Sequence, residues 1–230
     1  MRSVKFITVL CLSLLTLSGA AYVYDGTRWP ERRTVFQVDI PGADGLWNRA
    51  FEDAMYEWSE KSVFEFRIIR EFGDPCVDPN VSSAINGVAF STTACGESWG
   101  DSTLAVTQIY FSGDTIEQTS ILFNQYLAWN VYSGPQQGFV FDFRRVALHE
   151  LGHALGLGHE SRGRPIMHPT DGNVESLTAD DLNGVASLYA TASGGGGSSD
   201  SSSGGGGGGG ALDWISLLVL IGAAASRNRH

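Results

Sequence analysis

Cysteine is scarce in this sequence: its 230 residues carry three. One of them, Cys11, falls inside an apolar stretch near the amino terminus. Cys76 and Cys95 therefore allow at most one disulfide in the rest of the chain, formed in an oxidising compartment, or else two free buried thiols. Histidine is nearly as rare. The five are His149, His153, His159, His168 and the terminal His230, too few for two histidine-built metal sites once three are committed to one motif. Basic side chains are also in short supply. Residues 22–192 hold 23 acidic and 11 basic residues, a net charge of minus 12, which argues against nucleic acid as a partner and fits an exported polypeptide. Long apolar runs are missing as well. The two hydrophobic stretches, residues 6–17 and 211–225, both fall short of the roughly 20 residues of a permanent membrane span.

Both ends read as addresses. Residues 1–21 have a basic start at Arg2 and Lys5, an apolar run, and small residues at Ser18, Gly19, Ala20 and Ala21, which together make a secretory signal peptide for signal peptidase. Leu10 stands before Cys11 where a lipoprotein signal needs a small residue, so lipidation is not expected. Residues 193–210 are almost entirely Gly and Ser and have no side chains with which to form a core, the composition of a flexible linker. Residues 211–230 then give the apolar stretch followed by Arg227 and Arg229. What remains, residues 22–192, is enough chain for one domain.

The eleven residues from His149 read H-E-L-G-H-A-L-G-L-G-H. At 3.6 residues per turn, His149 and His153 share one helix face, so both rings can reach a single ion. Glu150 lies on the neighbouring face, placed to act as a general base for a metal-bound water and not as a ligand. Gly156 tolerates positive φ, so the helix can stop there and the chain can turn back to offer His159 as the third ligand. Three histidines plus a water make an open, catalytic zinc site.

This extended motif resembles the metzincin metalloproteases, and the residues after it resemble the matrixin branch. Arg164-Pro165-Ile166-Met167-His168-Pro169 follows the third histidine after a short loop, and the resemblance makes Met167 the apolar floor of the zinc site. Residues 176–189 look like the closing helix of matrixin catalytic domains, with Ser176 or Thr178 as cap and Leu182, Val185, Ala186 and Tyr189 as an apolar stripe. Upstream, residues 34–40 read as the first strand, 46–59 as an amphipathic helix and 63–69 as the next strand, so the resemblance runs from about Trp29 to Tyr189. It implies an α+β, zincin-like fold with a twisted, mostly parallel sheet, an active-site helix and a C-terminal helix. Residues 104–111 and 120–124 are further strands, and the family's pairing of an edge strand with extended substrate falls to one of the two. Asp142 is the expected N-cap of the zinc helix.

Two positions depart from the matrixin pattern. Glu160 is the residue type astacins carry after the third histidine, where many matrixins have serine. His168 and Pro169 stand where many matrixins have tyrosine, which suggests a pocket-lining or supporting role and not a fourth ligand. No stretch between the signal peptide and the first strand is long enough for a family-type cysteine prodomain. Calcium is a weak expectation, with Asp74, Asp78, Glu97, Asp101 and Asp114 as candidate oxygen ligands.

At the far end, the order of glycine run, short hydrophobic helix and arginine pair resembles the GlyGly C-terminal sorting signal of Gram-negative bacteria. That resemblance implies processing by a rhombosortase-type protease and delivery to the cell surface or medium; the alternative is a retained membrane anchor at residues 211–225. The expectation is an exported zinc endopeptidase acting on polypeptide. The alternative is a surface adhesin or binding module that keeps a zinc helix without turnover.

Overall fold

The structure is a computed structural model, and it describes residues 26–77, 85–170, 172–190 and 215–219. Strand β1 (Arg33–Gln37) buries Thr34 and Phe36 and turns Arg33 and Val35 outward, the alternation that the pleat dictates. Helix α1 (Leu46–Lys61) follows and buries Ala50, Phe51, Ala54, Met55 and Trp58 at the three-and-four spacing read from the sequence. It crosses over to β2 (Glu65–Ile69), which pairs parallel with β1 in the register Thr34↔Phe66. Next come β3 (Gly87–Ser91), β4 (Thr103–Ser112) and β5 (Thr115–Asn124). Strand β3 runs parallel to β5, and β4 turns back on β5 as an antiparallel hairpin with an irregularity between Tyr110 and Phe111. The short strands β6 (Ala128–Asn130) and β7 (Val140–Asp142) pair parallel with each other and lead into helix α2 (Phe143–Ala154); α3 (Ala179–Leu188) follows.

The six-stranded sheet has the order β2-β1-β3-β5-β4-β8 and is mostly parallel, so the α+β expectation holds. Its last member departs, over residues 215–219 alone, from the helix expected within 211–225. Where that stretch is described, as β8 (Ile215–Val219), it is a strand paired antiparallel to β4, with Thr107 opposite Ser216. The outer edge of β4 presents a row of amides and carbonyls, and a backbone in extended form satisfies them where a short helix would not. No helix among the described residues is long and apolar enough to cross a membrane. The signal peptide and the Gly/Ser linker lie outside the described residues.

One principal core joins sheet and helices. Phe123 and Phe143 meet with ring centroids 4.4 Å apart, which seats the start of α2 on β5. Trp58 is fully buried and donates its indole N–H to Leu148 O at 2.9 Å, tying α1 to the middle of α2. A smaller cluster of Ala94, Val106 and Leu122 lies apart from it, next to the disulfide between Cys76 and Cys95. The pairing inferred from cysteine count therefore exists in the fold.

Candidate metal centre

Helix α2 starts where Asp142 accepts a hydrogen bond from Arg144 N–H, the N-cap read from the sequence. Its far end is closed by a motif of two crossed bonds: Gly156 N–H donates to His153 O at 2.8 Å and Leu157 N–H to Gly152 O at 3.0 Å. Gly156 sits at φ 96°, and a Cβ there would lie 2.3 Å from Thr27 O, so both conformation and space demand glycine. The remaining carbonyls of the last turn find side-chain donors. Trp29 Nε1–H donates to Ala154 O at 2.8 Å, and the Tyr189 hydroxyl donates to Leu155 O at 2.8 Å.

This stop lets the chain double back, and the three imidazoles converge. The Nε2 atoms of His149 and His153 are 3.0 Å apart, and each is 3.2 Å from Nε2 of His159. The other ring nitrogens are engaged: His149 Nδ1–H donates to Ile166 O and His153 Nδ1–H to Leu157 O, both at 2.7 Å. Those bonds fix the tautomer that leaves the Nε2 lone pairs pointing at one another. Burial, then the neighbouring His159, pushes His149 down to about 3; burial and the adjacent rings hold His153 well below its ordinary value, and burial with His168 lowers His159. The set is thus three neutral nitrogen donors. Tetrahedral zinc with bonds of about 2.0–2.1 Å separates its ligand atoms by roughly 3.3 Å, close to the spacing here, so the residues fit that ion. Among the described residues, these three side chains form the one group of three or more that could share a metal. Asp74, Glu97, Asp101 and Asp114 are not gathered into such a group, and Asp78 lies outside the described residues.

Glu150 is fully buried. Thr107 Oγ1, on β4, donates to Glu150 Oε2 at 2.6 Å, whereas Oε1 has no hydrogen-bond partner among the described residues. Burial pushes the carboxyl up to about 8, against the opposing hydrogen bond from Thr107.

Met167 is buried beneath the helix, and a Cβ added at Gly152 would meet its Sδ at 2.2 Å. The turn that carries it hangs from α3. Asp181, itself buried, accepts from Ile166 N–H and Met167 N–H, each at 3.1 Å, and from Thr178 N–H at 2.8 Å, while Thr178 Oγ1 accepts from Asp181 N–H to complete the cap. Thr178, not Ser176, is therefore the cap residue. Ala186, expected in the apolar stripe, faces out, and Leu188, outside the expected set, is buried there instead. His168 stays out of the triad, with Nδ1 2.9 Å from Thr170 Oγ1, and lines a cavity beside His149; Pro169 is not among that cavity's lining residues. Glu160 turns back on its own loop and accepts from Arg162 N–H at 2.7 Å.

Sequence reading missed Thr107, Gly152 and Asp181. Gly152 carried a usable signal, a glycine inside an otherwise regular helix. Thr107 carried none, and Asp181 only that of an acidic residue at a helix start, because the partners that matter here, Glu150 for one and Ile166 and Met167 for the other, are far away in sequence.

A mixed sheet over a helix with two converging histidines, a third histidine beyond a glycine turn and a methionine beneath defines a domain of the metzincin class. Comparison with known proteins narrows it. The family model described as Matrixin matches residues 43–190, and the chain belongs to that family. It is similar to macrophage metalloelastase of Rattus norvegicus, 28% identical over 172 residues, which are 71% of this chain and 34% of that protein. Matrilysin of Homo sapiens is 43% identical over 56 residues, 23% of this chain and 21% of that protein. Macrophage metalloelastase of Oryctolagus cuniculus is 52% identical over 48 residues, 19% of this chain and 10% of that protein. The chain thus spans about a third or less of the length of these curated relatives.

Proposed function

We propose that the protein is a zinc-dependent endopeptidase that hydrolyses extended polypeptide, with Glu150 as its general base and His149, His153 and His159 as the zinc ligands. The observation that carries this reading is the meeting of three neutral imidazoles beside a buried carboxylate with one uncommitted oxygen. Bound zinc supplies a Lewis acid for the scissile carbonyl and for the attacking water. The chain's own groups do the rest. Ile166 O and Leu157 O hold two of the rings in a ligating tautomer, Met167 forms the floor under them, and Gly156 makes the turn to the third. Glu150 Oε1 accepts a proton from the attacking water and returns it to the leaving amine nitrogen, while Thr107 holds Oε2 and so fixes the carboxyl plane. Of the two strands offered for substrate pairing, β5 is paired on both sides within the sheet, whereas β4, beside Glu150, has an outer edge taken only by the short β8, which a substrate backbone would replace; this supports β4.

The same reading includes export through residues 1–21 and sorting or anchoring through residues 193–230, in a Gram-negative setting. The disulfide supports an oxidising destination.

The test is cleavage of an unfolded protein such as casein by the zinc-loaded chain, with Glu150→Gln alongside. Cleavage by the parent that stops on chelation, and a fall of at least about a hundredfold in the variant with its zinc retained, is the expected outcome. Undiminished turnover by a pure Glu150→Gln preparation would remove Glu150 from its role. Zinc bound at one equivalent with no cleavage by the parent would favour the adhesin reading.

A further inference from the structure

Beside His149, the segment that leads into and out of the methionine turn folds against α2 and encloses a cavity of about 230 Å³. Val146, Ile166 and Val174 give it apolar walls, the charged side chains that line it are Arg145 and Arg164, and His168 lines it too. None of the described lining residues is a carboxylate.

Arg145 is the unusual member. Its side chain is 4% exposed, so its charge is almost wholly removed from water. Nη1–H donates to Gly172 O at 2.6 Å and Nη2–H to Gly134 O at 2.9 Å. Asp142 and Glu175 lie 3.6 and 3.8 Å from Nη2, and neither lines the cavity. Of the three guanidinium nitrogens, Nε is the one that has no hydrogen-bond partner among the described residues, and it is buried. A desolvated guanidinium with an unpartnered nitrogen, at the wall of a cavity next to a metal ligand, is built to receive an oxygen from a guest.

We propose that this cavity selects substrates carrying a glutamate side chain next to the scissile bond, whose carboxylate accepts from Arg145 Nε–H and is favoured by the charge of Arg164. The stem of such a side chain lies against Val146, Ile166 and Val174, and its end supplies the acceptor. A leucine fills the same walls and leaves Nε–H unsatisfied, and a glutamine offers an oxygen without the charge. The expected order of preference is therefore Glu, then Gln, then Leu. This rests on the peptidase reading for the meaning of the cavity, but its test is a binding measurement.

Zinc-loaded, full-length protein bearing Glu150→Gln is titrated with one peptide series in which Glu, Gln or Leu occupies, in turn, each side of the central bond. Binding about tenfold tighter for Glu than for Leu at one of the two positions, at low salt, is the expected result. Adding Arg164→Gln, an exposed position away from the fold's interior, narrows that ratio; adding Arg145→Lys, which keeps the charge and removes Nε–H, abolishes the Glu preference over Gln. Equal or tighter binding of the Leu peptides at both positions overturns the proposal. Binding preference without cleavage by the parent chain would instead leave the cavity's selectivity standing and remove the peptidase reading.

Discussion

Gly156 shows how one residue without a side chain organises a metal centre. A side chain there would be strained at φ 96° and would drive into Thr27 O, so Gly156→Ala costs about 1–3 kcal/mol and moves His159 off its position. The expected outcome is a lowered melting temperature together with weaker zinc retention in a competition with a chromophoric chelator; an unchanged zinc affinity would mean that the turn is not what aims His159. The glycine and the meeting of the three histidines were legible in the sequence because they follow from short, fixed spacings, and the place of Met167 was legible from the family resemblance. Asp181 was legible only as a helix-start residue. Its larger task, holding Ile166 N–H and Met167 N–H, exists only once α3 has docked. Arg145 likewise reads as an ordinary helix residue until Gly134 O and Gly172 O are brought to it from opposite directions.

Elements are joined through Glu57, which lies on α1 with its side chain 7% exposed. One carboxylate oxygen accepts from Lys61 Nζ at 2.9 Å and from Leu177 N–H at 2.8 Å, and the other accepts from Arg144 Nη2 at 2.7 Å, so α1, α2 and the lead into α3 meet there. Burial pushes this carboxyl up, but the bonds from Lys61, Leu177 and Arg144 outweigh it and hold it below the ordinary glutamate range. A depressed folded-state value means that the stabilisation is fully present above the unfolded value of about 4.3 and is lost as the pH falls through the folded one. Glu57→Gln should therefore lower stability by about 1–2 kcal/mol at neutral pH, with the gap to the parent shrinking below about pH 4 in urea melts. A gap of constant size down to pH 3 would rule out this linkage. The helices were readable because a 3.6-residue period repeated over ten or more positions is a strong signal. Strand β3 was not, since five residues beginning with glycine give no period, and β5 begins five residues before the stretch that looked like a strand. Residues 215–219 differ from the expected helix: composition told of hydrophobicity, but the edge of β4 takes Ile215–Val219 as a strand.

For the molecule as a whole, the disulfide ties the segment before β3 to the segment after it. It closes a loop of 19 residues in sequence separation, and the chain-entropy account assigns such a loop about 3 kcal/mol. Cys76→Ser should thus lower the melting temperature by several degrees and leave zinc stoichiometry at one, measured by calorimetry and metal analysis; loss of the metal as well would mean that the loop supports the site and not only the fold. That the domain is a metzincin was legible from eleven residues, whereas how its two ends close on each other was not. Trp29 N–H donates to the Tyr189 hydroxyl at 3.2 Å, and each of these residues then bonds the final turn of α2. The beginning and the end of the domain are therefore a latch on the metal site, and the zinc centre is vulnerable from the amino terminus. An exopeptidase that trims inward past Trp29 would release the metal without touching a single ligand, and zinc release followed against residues removed should show a step at that tryptophan.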